Sequence, residues 1–187
     1  MIILDNQPFG HQPSKVVCVG RNYAAHAKEL NNPVPSTPLL FIKPSTSLCP
    51  LSPSFSLVTD QGECHIETEI ALLVGDTISN DQAESAWAKL AGIGLGFDLT
   101  LRDLQSALKE KGHPWERAKA FDNSCPMSNF VSLNDQVKAG EYVLRLRRNG
   151  QLQQQGSASE MITPMAQLLA HISRTFTLLP GDIVLTG

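Results

Sequence analysis

The sequence lacks the features that would place it on a nucleic acid or in a membrane. Its formal charge of −3 is spread over 187 residues with no dense run of Lys or Arg, so it offers no electrostatic footprint for a polyanion or an anionic bilayer. Apolar runs are short: residues 39–42 and 71–74 fall far below the ~20 residues that cross a bilayer as a helix. The opening MIILDNQPFGHQP has neither the basic start nor the apolar centre of a secretory leader, so a cytoplasmic protein is expected. Cys18, Cys49, Cys64 and Cys125 are widely spaced and form no C-x-x-C pair. That pattern fits reduced, mostly structural thiols better than a disulfide framework or a zinc site. What remains is 42% hydrophobic and 18% charged, an ordinary globular composition with enough apolar material for the core of one domain.

Local patterns predict many short strands and few helices, hence an α+β, mainly β class. SKVVCVG (14–20), LLFIKP (39–44) and HIETEIALLVG (65–75) read as strands, and IGLGFDLT as a glycine-punctuated strand ending at Asp98. The Ala-rich stretch after Asn22, a candidate N-cap, reads as a short helix from Tyr23 to about Leu30. DQAESAWAKLA (81–91), RDLQSALKEKG (102–112, stopped by Gly112) and TPMAQLLAHISRTF (163–176, with Pro164 in its first turn) read as the remaining helices. Asn149-Gly150 between two strand-like arms is a strong hairpin signal, and LLPGDIVLTG is a strand after a Pro-Gly turn. The prolines of NNPVPSTP (31–38) and the Ser/Pro-rich residues 45–56 predict irregular connections. No internal repeat or linker divides the chain.

One strand carries an oddity. Side chains alternate faces along a strand, so in HIETEIALLVG His65, Glu67, Glu69, Ala71 and Leu73 share one face and Ile66, Thr68, Ile70 and Leu72 the other. An arbitrary E-x-E usually marks a solvated face. This run turns wholly apolar at Ala71, which predicts burial on both faces, and a buried pair of carboxylates is costly unless a cation compensates it. His26 and Glu29 form a second pattern: an i, i+3 spacing places them on one helix face, where the carboxylate can orient the imidazole.

Taken together, GRNYAAHAKEL, LLFIKPST, HIETEIALLVG, GFDLTLRD, KGHPWERAKAFDNSCP and LLPGDIVLTG resemble the fumarylacetoacetate hydrolase family, in particular its small single-domain members. The resemblance implies a twisted β-roll with a few flanking helices, a homodimer, and a divalent metal at the mouth of the roll. By the same resemblance Glu67, Glu69 and Asp98 are the metal ligands, and His65 stands beside them in a supporting role. Three carboxylates without cysteine suit a hard ion, Mg²⁺ or Mn²⁺. His26 with Glu29 corresponds to the family's water-activating dyad and Lys119 to its catalytic lysine, while Arg21, Arg102 and Gln105 are candidates for substrate contacts. The implied reaction is cleavage of a carbon–carbon bond in 2,4-dioxo acids (acylpyruvates) to pyruvate and a carboxylic acid. Decarboxylation or keto–enol tautomerisation of oxaloacetate is the alternative. The family continues past the final LTG into a TP-x-GVG-like loop, so residues 1–187 are expected to form a catalytic domain incomplete at its C-terminus. A truncated, non-catalytic binding fragment is the expectation from another class.

Overall fold

A computed structural model describes residues 1–25, 35–58, 60–134 and 141–187. Twelve strands are found among them: β1 (Ile3–Leu4), β2 (Gln7–Pro8), β3 (Lys15–Gly20), β4 (Leu39–Pro44), β5 (Leu48–Pro50), β6 (Cys64–Val74), β7 (Leu90–Leu101), β8 (Cys125–Met127), β9 (Val131–Ser132), β10 (Val143–Arg148), β11 (Gln151–Ser157) and β12 (Ile183–Leu185). One mixed, curled sheet dominates, in the order β4-β3-β12-β6-β7-β8-β5, with β9 also paired to β7. Its β12–β3 and β5–β8 contacts are parallel and its other pairings antiparallel. The pairs β1–β2 and β10–β11 form separate two-stranded ribbons.

Alternation along the central strands sorts two cores. Val17, Val19, Ile70, Leu72 and Val184 face outward onto the helices Ala83–Ala88 and Met165–Ser173, burying Leu168, Leu169 and Ile172. Val16, Cys18, Ala71, Leu73, Ile183 and Leu185 face inward and meet Cys125 and Phe130 inside the roll. Residues 71–74 are fully buried, as their unbroken apolar run predicts. Burial pushes the thiols of Cys18 and Cys125 up, which keeps them unreactive packing groups; all four cysteines are free.

Most sequence-based elements are in place, and the departures have physical causes. Residues 45–56, expected to be irregular, hold a 3-10 turn at Ser45–Ser47 and the strand β5, which pairs with β8. Its ladder partner comes from a distant part of the chain, so local Ser/Pro composition could not reveal it. The helix expected over 81–91 spans only Ala83–Ala88, because Leu90 already pairs with Val74 at the start of β7. Pro164 caps the last helix from outside, with ψ 149°, rather than entering its first turn. The Asn149-Gly150 turn has positive φ at both residues (51° and 81°), the geometry of the tight hairpin turn its sequence predicts. Of the helix read from Tyr23 to about Leu30, Tyr23 forms an isolated bridge to Met161, and residues 26–30, with His26 and Glu29, lie outside the described residues.

Asp182 fastens β12 to the start of β3. Its fully buried carboxylate accepts hydrogen bonds from Ser14 N–H (2.8 Å), Ser14 Oγ (2.7 Å), Lys15 N–H (3.1 Å), Lys15 Nζ (2.5 Å) and Leu179 N–H (2.9 Å). Burial works against the charge, but the Leu179 N–H, Lys15 and Ser14 prevail and hold the carboxyl below its ordinary 3.8. A carboxyl lowered in the folded state stabilises the fold fully above the unfolded value and loses that contribution as the pH falls through the folded one. Asp182→Asn is therefore expected to cost about 3 kcal/mol at pH 7. Urea unfolding of both proteins from pH 7 to pH 2.5 checks this: the gap should narrow only below about pH 4.

Candidate active site

The site is built on the β6–β7 pairing. Its register sets Glu67 directly opposite Asp98 and Glu69 opposite Gly96, and directly opposed residues of an antiparallel pair project to the same face. Gly96 has no room for a side chain: an added Cβ would stand 2.7 Å from Leu185 Cδ2 and 2.9 Å from Met127 Cε. The inward face of β6 is thus apolar at Leu73 and Ala71, where the roll is closed, and acidic at Glu69 and Glu67, toward its mouth. Carboxylate oxygens of Glu67, Glu69 and Asp98 lie within 4.8 Å of one another. They stand on the wall of a cavity of about 880 Å³ that Arg21, Arg102, Gln105, Lys109, Trp115 and Lys119 also line.

Cations answer part of this buried charge. Lys119, at the end of the short helix Glu116–Lys119, donates to Glu67 Oε2 at 2.7 Å and to Asp98 Oδ2 at 2.5 Å, with its Nζ 5.2 Å from the Phe41 ring centre. Burial works against its charge, yet Asp98 and Glu67 raise its pKa above the ordinary lysine value. The two carboxylates thus favour the charged form of Lys119, which places a cation able to stabilise negative charge at the cavity wall. Arg102 binds Glu67 through Nη2, the Nδ1 of His65 at 3.2 Å through Nε and Gln105 Oε1 at 2.6 Å through Nη1. The imidazole of His65 reaches Glu63 at 3.3 Å on its other side, so His65 supports Arg102 from beside the acidic cluster.

Lys43 was not singled out by its sequence context. It is fully buried, 2.9 Å from Asp98 Oδ1, and it also bonds the Lys119 carbonyl and both Ser124 O and Oγ (3.2 Å each). The available signal was the one that exposed the glutamates: a charged residue inside an apolar strand, here LLFIKP. Asn22, expected as a helix cap, spends its side chain on Thr163 O (3.1 Å), Thr163 N–H (2.9 Å) and Thr186 O (2.9 Å). It thereby fixes the turn in which Arg21 adopts a left-handed φ of 62° at the cavity, a conformation costing on the order of 1 kcal/mol in a non-glycine residue.

Glu69 differs from its neighbours. It is 4% exposed, accepts the Gly187 N–H at 2.7 Å, and pairs with no lysine or arginine among the described residues. Burial, then the Asp98 carboxylate, push its carboxyl well above the ordinary range. This donor set fits a divalent ion: three hard carboxylates converge, and one of them has no ion-pair contact to a lysine or arginine among the described residues, a place that a metal would take. Glu67, Glu69 and Asp98 would hold it.

Fold and site together define an enzyme of the fumarylacetoacetate hydrolase family, and the comparison with known sequences agrees: the fumarylacetoacetate (FAA) hydrolase C-terminal family matches residues 15–187. The chain belongs to that family. Among curated relatives, the oxaloacetate tautomerase YcgM of Escherichia coli is 47% identical over 175 residues, covering 93% of this chain and 80% of that protein. A crystal structure of a protein from Oleispira antarctica, named a putative fumarylacetoacetate isomerase/hydrolase, superposes with a TM-score of 0.96 at 54% identity, covering 100% of this chain and 84% of that one. The fumarylpyruvate hydrolase of Pseudomonas aeruginosa, crystallised with Mn²⁺ and pyruvate, superposes with a TM-score of 0.91 at 31% identity, covering 100% and 82%.

A carboxyl raised in the folded state penalises folding as the pH climbs through the unfolded value, here an ordinary 4.5, and the penalty persists at neutral pH. Glu69→Gln keeps an acceptor for the Gly187 N–H while deleting the charge. In EDTA at pH 7 this variant should be more stable than the parent by on the order of 1 kcal/mol, with the gap closing below pH 4.5. Thermal melts with and without Mn²⁺ check both halves: the variant should gain stability in EDTA and lose the stabilisation that the ion confers.

Proposed function

We propose that this protein is a Mg²⁺- or Mn²⁺-dependent enzyme that interconverts the keto and enol forms of oxaloacetate, working as a homodimer in the cytoplasm. The observation that carries the reading is the convergence of Glu67, Glu69, Asp98 and the ion-paired Lys119 on one wall of the cavity. The 47% identity to an oxaloacetate tautomerase supports the choice of substrate. A bound divalent ion supplies Lewis acidity, polarising the 2-oxo group so that the adjacent C3–H becomes acidic. The chain's own groups do the rest. Lys119 presents a preorganised cation to the oxygen on which negative charge develops. Arg21, Arg102 and Gln105 receive substrate carboxylates, Arg102 being oriented by Glu67 and His65. His26, oriented by Glu29, moves the proton at C3; this role rests on the family resemblance of residues outside the described set.

Cleavage of an acylpyruvate is the second reading, favoured by the structural likeness to a fumarylpyruvate hydrolase. It uses the same residues, with His26 deprotonating a water that attacks the C4 carbonyl. The two readings differ in whether water is admitted, and one experiment separates them. Oxaloacetate tautomerisation and acetylpyruvate hydrolysis are measured side by side with Mg²⁺ and with EDTA. The expected result is metal-dependent tautomerisation well above the buffer rate, falling by roughly 10²-fold or more in Lys119→Met. Turnover of acetylpyruvate with no acceleration of tautomerisation would replace the first reading by the second. Buffer rates for both would leave a binding protein.

A further inference from the structure

We propose that Gln154 is a positioning residue of the carboxylate site, its side-chain amide standing in for a neighbouring strand beside Thr68 and so fixing the directions of Glu67 and Glu69. The proposal rests on the reading of those residues as metal ligands.

One edge of β6 faces away from β7, toward β12. On that side β12 pairs with residues 71–73, and Thr186 carries the contact one step further, its N–H and Oγ each donating to Ile70 O at 3.1 Å. Thr68 is the next residue whose backbone groups point that way, and β12 ends short of it. Gln154 fills the place: its Oε1 accepts from Thr68 N–H at 2.8 Å and its Nε2 donates to Thr68 O at 2.8 Å. One amide thus reproduces the pair of bonds a strand residue would make. Glu67 and Glu69 flank Thr68 in the chain, so any pivot of this peptide moves both ligands, and a metal site tolerates ligand errors of only about 0.2 Å.

Three consecutive glutamines occupy this part of β11, and they are not equivalent. Gln155 accepts from Arg145 Nε at 2.9 Å across the hairpin, and Gln153 donates to its neighbour's carbonyl, Leu152 O, at 3.3 Å. Gln154 reaches β6. It sits opposite Leu146, at the register shift between Leu146 and Arg147, and such bulges re-aim side chains. The role needs a donor and an acceptor on one planar group. Glutamate at 154 could accept the Thr68 N–H but would set a carboxylate against the Thr68 carbonyl; leucine would do neither.

Calorimetric titration of the 187-residue chain with Mn²⁺ tests this, using Gln154→Glu and Gln154→Leu, with Arg145→Ala as the control that loosens the same hairpin without touching β6. Both Gln154 variants should bind Mn²⁺ about 10-fold more weakly or worse, the usual consequence of removing an outer partner of a metal site. The Thr68 amide should also exchange its hydrogen faster. Arg145→Ala should stay within about 2-fold of the parent on the same outer-partner scale. Should Gln154→Leu fail to fold, Gln154→Glu carries the comparison alone. Parental affinity in the Gln154 variants would overturn the proposal, as would an equal loss in Arg145→Ala, which would make the hairpin a structural brace only. If the parent chain binds no Mn²⁺, the metal reading fails first and the proposal falls with it.

Discussion

The antiparallel register of β6 on β7 is the constraint on which the rest depends. It sets Glu67 across from Asp98 and leaves glycine across from Glu69, so three carboxylates share one small volume on the inner face. A slip by one residue would turn every side chain of β6 to the other face: Ile70 and Leu72 would enter the roll, and the glutamates would face the helices. The fully buried run at residues 71–74 forbids that slip, because both of its faces already have apolar partners. The core that stabilises the strand thereby also aims the chemistry.

Gathering these carboxylates creates an electrostatic debt that the chain settles unevenly. Lys119 spans Glu67 and Asp98, Lys43 lies beneath Asp98, and Arg102 holds Glu67. Isolated buried charges of either sign are costly, so each of these cations and anions makes the other tolerable. Lys43 also ties the Lys119 carbonyl and Ser124 to the same point, so the loop carrying the functional lysine is anchored by a second lysine through its backbone. Glu69 keeps a carboxylate that burial and Asp98 disfavour and that meets no lysine or arginine among the described residues, and a ligand so placed beside ion-paired ones is what a metal site needs before its ion arrives.

The mouth of the roll is finished by pieces too short to form a full strand. β12 covers three residues of β6, the Thr186 and Gly187 groups extend the contact by two more, and the Gln154 amide covers Thr68. Asn22 and Asp182 work in the same manner at the two ends of the β3–β12 contact, each using one polar side chain to satisfy several backbone groups. Polar side chains thus take over where the ladder ends, and the cavity opens there without leaving those backbone groups unsatisfied.

The sequence by itself determined the elements and the donor set. Alternation in HIETEIALLVG placed both glutamates on one face, the apolar run fixed its burial, and Asn149-Gly150 fixed the hairpin, because each property depends on neighbours within a few residues. Family resemblance named Asp98 and Lys119, which no local period could pair with the glutamates across 29 and 50 residues of chain. Only the tertiary structure decided that Lys119 bridges Glu67 and Asp98, that Lys43 lies buried beneath the same Asp98, that residues 48–50 are a strand, and that Gln154 rather than either neighbouring glutamine reaches Thr68. Those facts are set by strand register and by which distant segment arrives at each open edge, and long-range pairing leaves no periodic trace in the residues that take part in it.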